Sequence, residues 1–578
     1  MTILDWALIL GLNGSIVLYG LYLARGTRSS ADWFLAGRRL PWWIVGISMY
    51  ATAIDSSDLV ADSGGTYTLG FSYFVTNWVG TVGGWTLAAF VIFLPMYRAG
   101  MYTNAEYLEA RFGVGARVIS VFVQVQFRTM VLAIIARTLY LTLAIVCGWG
   151  ASAWWAVVLI AVLASIYTAF GGLRSVAITD SLQFLIMAVT AIVFWSMIFN
   201  HVGGWSGVRE KLAAADADLP GQMLHIGRDK VERENVAGLD TVVIQRKLLT
   251  GGRYDPEHDV IERRTPAGMV ILSMIILGAA YAIVNHTQAM RMFAARSEWD
   301  FKMCAGLAGA MLVIFTFFNL SVGVMGRAIV PDQAILPNGE QDAIYPHLVK
   351  QLASVGLRGL LVAGVMAAAL STFDSIGSAL SALLTRDVYA RLIVRNADDR
   401  HYLRIGQWLT PVIIGGSFLY VPFLEGGMLL FYLDLTSAFV VPLLTLYLIG
   451  VLTPMHRRSG TIGLVVGGLY GIVRLVAPTV AEAYGVLILP AAMINPYAAY
   501  LYSMLITAGT TIVVSLIVGW QPRGELTHRE TGEWLNRSRE EAKHLHHDGH
   551  VSPRALWPVL GACVAVGAGL VLSFVVFW

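Results

Sequence analysis

Apolar residues in this chain come in runs of about 20, the length that crosses the hydrocarbon core of a bilayer, and the runs recur from end to end. The pattern predicts about fourteen spanning segments. They cover roughly residues 4–24, 42–66, 71–97, 117–147, 151–170, 176–198, 267–292, 299–327, 355–385, 402–422, 427–453, 460–480, 497–520 and 555–577. Charged sequence follows the first run without a small-residue cleavage site, so that run reads as a retained helix and not as a signal peptide.

Two of the runs carry polar residues where lipid-facing helices have none. In MAAALSTFDSIGS (366–378), Ser371, Asp374, Ser375 and Ser378 fall on one stripe at about 100° per residue, with Ala368 above them and Thr372 beside them. In WWIVGISMYATAIDSSDLVADSGGTYTLG (42–70), Asp55, Ser56, Ser57 and Asp58 interrupt the run, and Asp62, Gly64 and Gly65 follow. A broken helix is expected there. Carbonyls freed by unwinding, together with hydroxyls from another helix, make an oxygen cage suited to a hard monovalent cation such as sodium. The plainer reading is that each hydroxyl bonds back to its own helix and the acids line a water-filled vestibule.

Composition places these features in a membrane. The 578 residues are 57% hydrophobic and 13% charged, and the mean hydropathy is +0.66. The chain reads as one multi-pass transmembrane domain. A net charge of +3 offers no electrostatic footprint for nucleic acid. Cys147, Cys304 and Cys563 lie in apolar segments without metal-ligand spacing and read as packing residues. Arg25, Arg28, Arg38 and Arg39 after the first run, Arg291 and Arg296 after the seventh, Arg386, Arg391 and Arg395 after the ninth, and Arg457 and Arg458 after the eleventh share one side if the spans alternate. That side is the cytoplasm, which puts both termini and the connections 199–266 and 328–354 outside and the loop 521–554 inside. The loop contains KHLHHDGH (543–550), whose histidines could hold a metal; without a second ligand cluster, a solvated loop is expected. No Walker, HExxH or nucleophile-elbow pattern is present, so no enzymatic activity is expected.

YTAFGGLRSVAITDSLQF (167–184) resembles the signature of the sodium:solute symporter family, reinforced by TNAEYLEARFG (103–113), GGW (203–205), NHTQAMRMFAAR (285–296) and TRDVY (385–389). The likeness runs through nearly the whole chain, in order, and resembles the fourteen-helix branch that includes the sodium/glucose cotransporters. It implies an all-α leucine-transporter fold with two inverted repeats, residues 42–198 and 267–453, each opening with a broken helix, and additional C-terminal helices over 454–578.

The resemblance also implies ligands. The family's main sodium site falls on the carbonyls of Ala51, Ile54 and Ala368 and the hydroxyls of Ser371 and Thr372. A second cation site, present in some members, falls on Asp180 with Ser371, Asp374 and Ser375. The family usually has a small or hydroxyl residue at position 374. Two nearby acids could bind a second cation more strongly, share a proton and couple transport to H⁺, or contact a cationic substrate.

Of the sugar-contacting residues of those relatives only an asparagine has a counterpart, Asn285; the others fall on Asp58, Val79, Leu312 and Leu433. A polyhydroxylated ligand would lose hydrogen bonds worth about 1–3 kcal/mol each. Asp55, Ser57, Asp58, Tyr73, Asn77, Trp78, Asn285 and Gln288 are the candidates for the substrate pocket, and they suit a small polar or cationic organic solute. The expectation is a sodium-coupled symporter of a plasma or bacterial inner membrane, with sodium as its coupling ion, a proton as a second option, and no cofactor. The alternatives are a sodium/sugar cotransporter, a passive uniporter and a membrane sensor.

Overall fold

The computed structural model describes residues 1–25, 29–237, 239, 241–249, 251–424, 428–521, 533–544 and 555–578. The helices used below are α1 (Ile3–Ala24), α2 (Trp42–Ala53), α3 (Ser56–Leu69), α4 (Val114–Val146), α5 (Ala153–Val202), α6 (Ala267–Val284), α7 (His286–Phe293), α8 (Glu298–Ile329) and α9 (Leu357–Leu383). Eleven helices among the described residues are long and apolar enough to span a bilayer, or twelve if a pair bent by 75° over Ser56–Ile92 is one span. The count of fourteen is not reached, because breaks divide some of the expected runs and one long helix joins two of them. That helix lies in Gly150–Val202, whose 53 residues are counted once. At about 1.5 Å per residue it exceeds twice the ~30 Å core. Its backbone leaves helical geometry at Gly172 (φ 63°), where a Cβ would lie 2.8 Å from Trp33.

α9 forms the centre of the bundle. Of its most apolar stretch 94% is buried, against 22% for Ile3–Ala24 and for Trp557–Val576 at the periphery. α9 packs against α5, α1 and α4, and α8 against α2 and α3. Helices associate in lipid through close packing of small residues. Gly323 of α8 shows this: a Cβ there would lie 2.1 Å from the Ser63 carbonyl of α3, and Thr66 Oγ1 donates to the Leu320 carbonyl across the same contact. Outward faces carry exposed Trp155, Leu163, Phe170, Leu505 and Val564, as expected where lipid is the solvent.

The 199–266 connection contains an antiparallel sheet that the helical reading did not include, β1 (Lys230–Asn235), β2 (Arg253–Asp255) and β3 (Val260–Thr265), in the order β1-β3-β2. The chain's ends pack on the two long connections. Ile226 N donates to the Phe577 carbonyl, and Gly356 N donates to Asp5 Oδ1. Elsewhere in the bundle, the motifs at 103–113 and 385–389 meet in a buried charge network. Arg117 binds Glu109 (2.6 Å) and Asp387, Thr103 Oγ1 donates to Asp387, and Arg391 binds Glu109. The helix Glu533–His544 lies beside this network, with Trp534 stacked on Tyr402. Most of KHLHHDGH, and Arg28, lie outside the described residues.

Candidate functional site

The expected break in residues 42–70 lies at Ile54 and Asp55, both extended, between α2 and α3. Its cause is local. Asp55 caps α3: its Oδ1 accepts from Ser57 N (2.7 Å) and from the Ser57 hydroxyl, while Asp55 N donates to Asp58 Oδ2 (2.7 Å). This reciprocal capping box satisfies donors that unwinding would strand in an apolar environment. Part of each acid's hydrogen-bonding capacity therefore holds the break.

A second break separates α6 from α7. Asn285 is extended, its Oδ1 accepts from Thr287 N, His286 N donates to Gln124 Oε1, and the freed Val284 carbonyl accepts from Asn104 Nδ2. Asn104 belongs to the motif at 103–113, so that motif supports the second break as well as the charge network.

Four of the five residues expected at the main cation site come together. Ser371 Oγ donates toward the carbonyls of Ala51 (3.0 Å) and Ala368 (2.9 Å), and Thr372 Oγ1 toward Ala368 (3.2 Å). These oxygens belong to buried residues at the end of α2 and in the middle of α9, and oxygen is the donor type a hard cation requires. Ile54 lies three residues past Ala51 at the break, where its N–H bonds the Tyr50 carbonyl.

The second expected site is organised around an arginine. Asp180 and Asp374 belong to one buried network, but a guanidinium is part of it. Arg291 Nη2 pairs with Asp180 Oδ2 (3.0 Å) and donates to Ser375, Nε donates to Ser48 (2.8 Å), and Nη1 donates to the Thr287 carbonyl (2.9 Å). Ser48 Oγ also donates to Asp180. Asp374 accepts from Ser375 (3.0 Å) and from Tyr167 (2.5 Å). Ser371 is bonded to Ala51 and Ala368 instead. Arg291, assigned from the sequence to a cytoplasmic loop, is fully buried in α7. A span that breaks at Asn285 and restarts keeps a later charge inside the protein. Thr52 Oγ1 joins the network at Ser375 (3.1 Å) and Asp180 (3.4 Å); the sequence reading assigned none of Ser48, Thr52, Tyr167 and Arg291 to this site.

Beside the first break lies a cavity of about 80 Å³. Asp55, Ser57, Asp58, Tyr73 and Asn77 of the pocket candidates line it, as do Asp62, Arg128, Tyr281, Leu312 and Tyr432. Trp78, Asn285 and Gln288 do not. Trp78 packs on Phe74, Asn285 caps α7, and Gln288 Nε2 donates to the Met49 carbonyl. Arg128 escaped the sequence reading because it sits inside an apolar run; a lone charge in a span was the available signal.

A family model described as the sodium:solute symporter family matches residues 33–471. Sodium/myo-inositol cotransporter 2 of Sus scrofa is 28% identical over 565 residues, 90% of this chain and 77% of that protein. Sodium/glucose cotransporter 1 of Oryctolagus cuniculus is 28% identical over 481 residues, covering 78% and 68%. The solved structure of a Na⁺-coupled sialic acid symporter, substrate-bound and outward-open, aligns with a TM-score of 0.71 at 20% identity, over 90% of this chain and 99% of that one. This last likeness shows the leucine-transporter-type fold.

Proposed function

Because the chain belongs to the sodium:solute symporter family, a family of sodium-coupled membrane transporters, we propose that it imports a small polar organic solute by alternating access, with sodium held between α2 and α9. One observation carries the reading: the same break offers the Ala51 carbonyl to the Ser371 hydroxyl, beside Thr372 on the shared Ala368 carbonyl, and presents Ala53, Asp55 and Asp58 to the cavity. A cation that orders this backbone also orders a wall of the solute site, which is how coupling arises from differential binding to two states. Ala51, Ile54, Ala368, Ser371 and Thr372 are its proposed ligands.

At the second site the Arg291 guanidinium already supplies a positive charge to Asp180. An ion on the remaining oxygen, Oδ1, would stand within one carboxylate's width of it. The reading is therefore a single sodium per cycle, with Asp374 as the group through which a proton would enter. A sodium ion moving down about 100 mV and a tenfold gradient supplies about 3.7 kcal/mol, enough for roughly 500-fold accumulation of a neutral solute. Residues 42–198 and 267–453 are the proposed inverted repeats, each opening at a break. The arginine-rich side is the proposed cytoplasmic face of a plasma or inner membrane, with both termini outside.

The relatives named for glucose and myo-inositol favour a second reading, a sodium/sugar cotransporter. Both readings are tested in proteoliposomes by uptake of sugars, amino acids, monocarboxylates and quaternary amines under an inward sodium gradient or an equal potassium gradient. Sodium-driven uptake of one class is expected. Saturable uptake that is indifferent to sodium would make the protein a passive carrier.

A further inference from the structure

We propose that the cavity beside the α2–α3 break binds a compact zwitterion, its carboxylate on Arg128 and its cationic nitrogen on Asp58 and Asp62. The inference rests on the symporter reading above and names the class of its solute.

Arg128 of α4 has a side chain in the cavity wall and is only 1% exposed. None of its three guanidinium nitrogens has a hydrogen-bond partner among the described residues. It lies against two rings, Phe127 at 5.7 Å and Tyr281 at 5.6 Å, and within electrostatic reach of Asp55 across the cavity lining. No carboxylate comes within ion-pair distance of it among the described residues, although three line the same cavity. A guanidinium carries five N–H donors in a planar fork, and leaving them dry and unbonded is unfavourable. The acceptors must come from whatever fills the cavity, and a carboxylate matches the fork with two parallel bonds.

The opposite requirement stands on α3. Asp58 and Asp62 are four residues apart on one helix face, half-buried, and both line the cavity. Asp58 Oδ2 accepts from Asp55 N and Asp62 Oδ1 from Tyr73 OH, and the two carboxyl side chains also interact with each other. Two carboxyls this close repel when both are ionised and otherwise share a proton, and a cationic nitrogen between them takes the place of that proton. A polyol would leave the fork and both acids without a charged partner, whereas a lone amine or a lone acid would serve one wall. A volume of about 80 Å³ holds roughly five to eight waters, which suits a solute of few heavy atoms. Tyr281 and Tyr432 also line the cavity, and aromatic rings are compatible with an ammonium, methylated or not.

The test is equilibrium binding to the purified full-length chain, in sodium and in potassium buffer. The probes are alanine and proline (ammonium zwitterions), glycine betaine (a quaternary zwitterion), propionate, choline and galactose. In sodium, at least one zwitterion is expected to bind about tenfold or more tightly than propionate, choline and galactose. Whether that ligand is an amino acid or the betaine identifies the nitrogen. Arg128→Gln should weaken the zwitterion at least about thirtyfold and leave choline unchanged; Asp58→Asn should weaken both. If Arg128→Gln does not fold, Arg128→Lys, which keeps the charge and loses the fork, should weaken the zwitterion about tenfold. Galactose as the tightest ligand, no binding of any zwitterion, or unchanged zwitterion affinity in a folded Arg128 variant overturns the inference. Sodium-dependent galactose binding would do so while leaving the symporter reading intact. Binding of any probe equally in sodium and potassium would count against symport itself.

Discussion

Two buried arginines flank the first helix break and are treated in opposite ways. Arg291 uses every guanidinium nitrogen, on Asp180, Ser48, Ser375 and the Thr287 carbonyl. Arg128 has hydrogen bonds on none among the described residues. The first is a strut, a fixed charge neutralised within the fold that ties α7 to α2, α5 and α9. The second is a fixed charge left to the cavity. Burial alone therefore does not mark a binding residue in this bundle; what sets Arg128 apart is a side chain without hydrogen-bond partners among the described residues in the wall of a cavity.

The comparison breaks most readily on stability. Arg291→Met leaves the Asp180 carboxylate buried without its cation, and the loss of one partner of a buried pair costs about 3–5 kcal/mol. Arg128→Met removes no hydrogen bond and should leave the melting temperature unchanged or raise it. Thermal melts of the two purified variants check this, and equal losses would erase the distinction.

A smaller effect is expected from Asp342 in the connection 328–354, which packs against Gly64 of α3 and accepts from Met428 N. Burial raises its carboxyl from 3.8 to about 7, against the pull of that N–H bond. The folded protein then keeps a proton that the unfolded chain releases, so stability falls as pH rises through this window, by about 1.4 kcal/mol between roughly pH 6 and 8. Asp342→Asn should flatten that slope in melts taken across the same range. A slope identical to that of the native protein would assign the pH dependence to another group. The smallest effect belongs to the cap. Asp55→Ala should destabilise by about 1 kcal/mol through the loss of the α3 capping bonds, read as a modest fall in melting temperature; no change would mean that packing alone holds the break.

Much of this was legible in the chain. The polar stripe around Ser371, the interruption at Asp55 and the signature at 167–184 fix a broken-helix bundle, because polar groups at bilayer depth have few physical uses. The meeting of Ala51, Ala368, Ser371 and Thr372 was what the family resemblance implied. The partners of the acids were harder to read. Asp55 and Asp58 looked like solute contacts, and only the backbone shows that they also cap α3. Arg291 looked like a loop charge because hydropathy windows cannot tell a broken span from a finished one. The sheet at 230–265 lies in a connection where charged, short strands leave little periodicity. Asn285 matched a sugar-binding asparagine, yet its carboxamide caps α7 outside the cavity.

The account stands on the cation site between α2 and α9. Its most direct test is the sodium dependence of solute uptake in proteoliposomes, comparing the native protein with Ser371→Ala/Thr372→Ala at matched amounts of folded protein. Losing both hydroxyls removes two of the oxygens, so the sodium concentration for half-maximal uptake should rise at least about tenfold, equivalent to about 1.4 kcal/mol. An unchanged sodium dependence in the folded variant would contradict the account, because the coupling ion would then bind elsewhere.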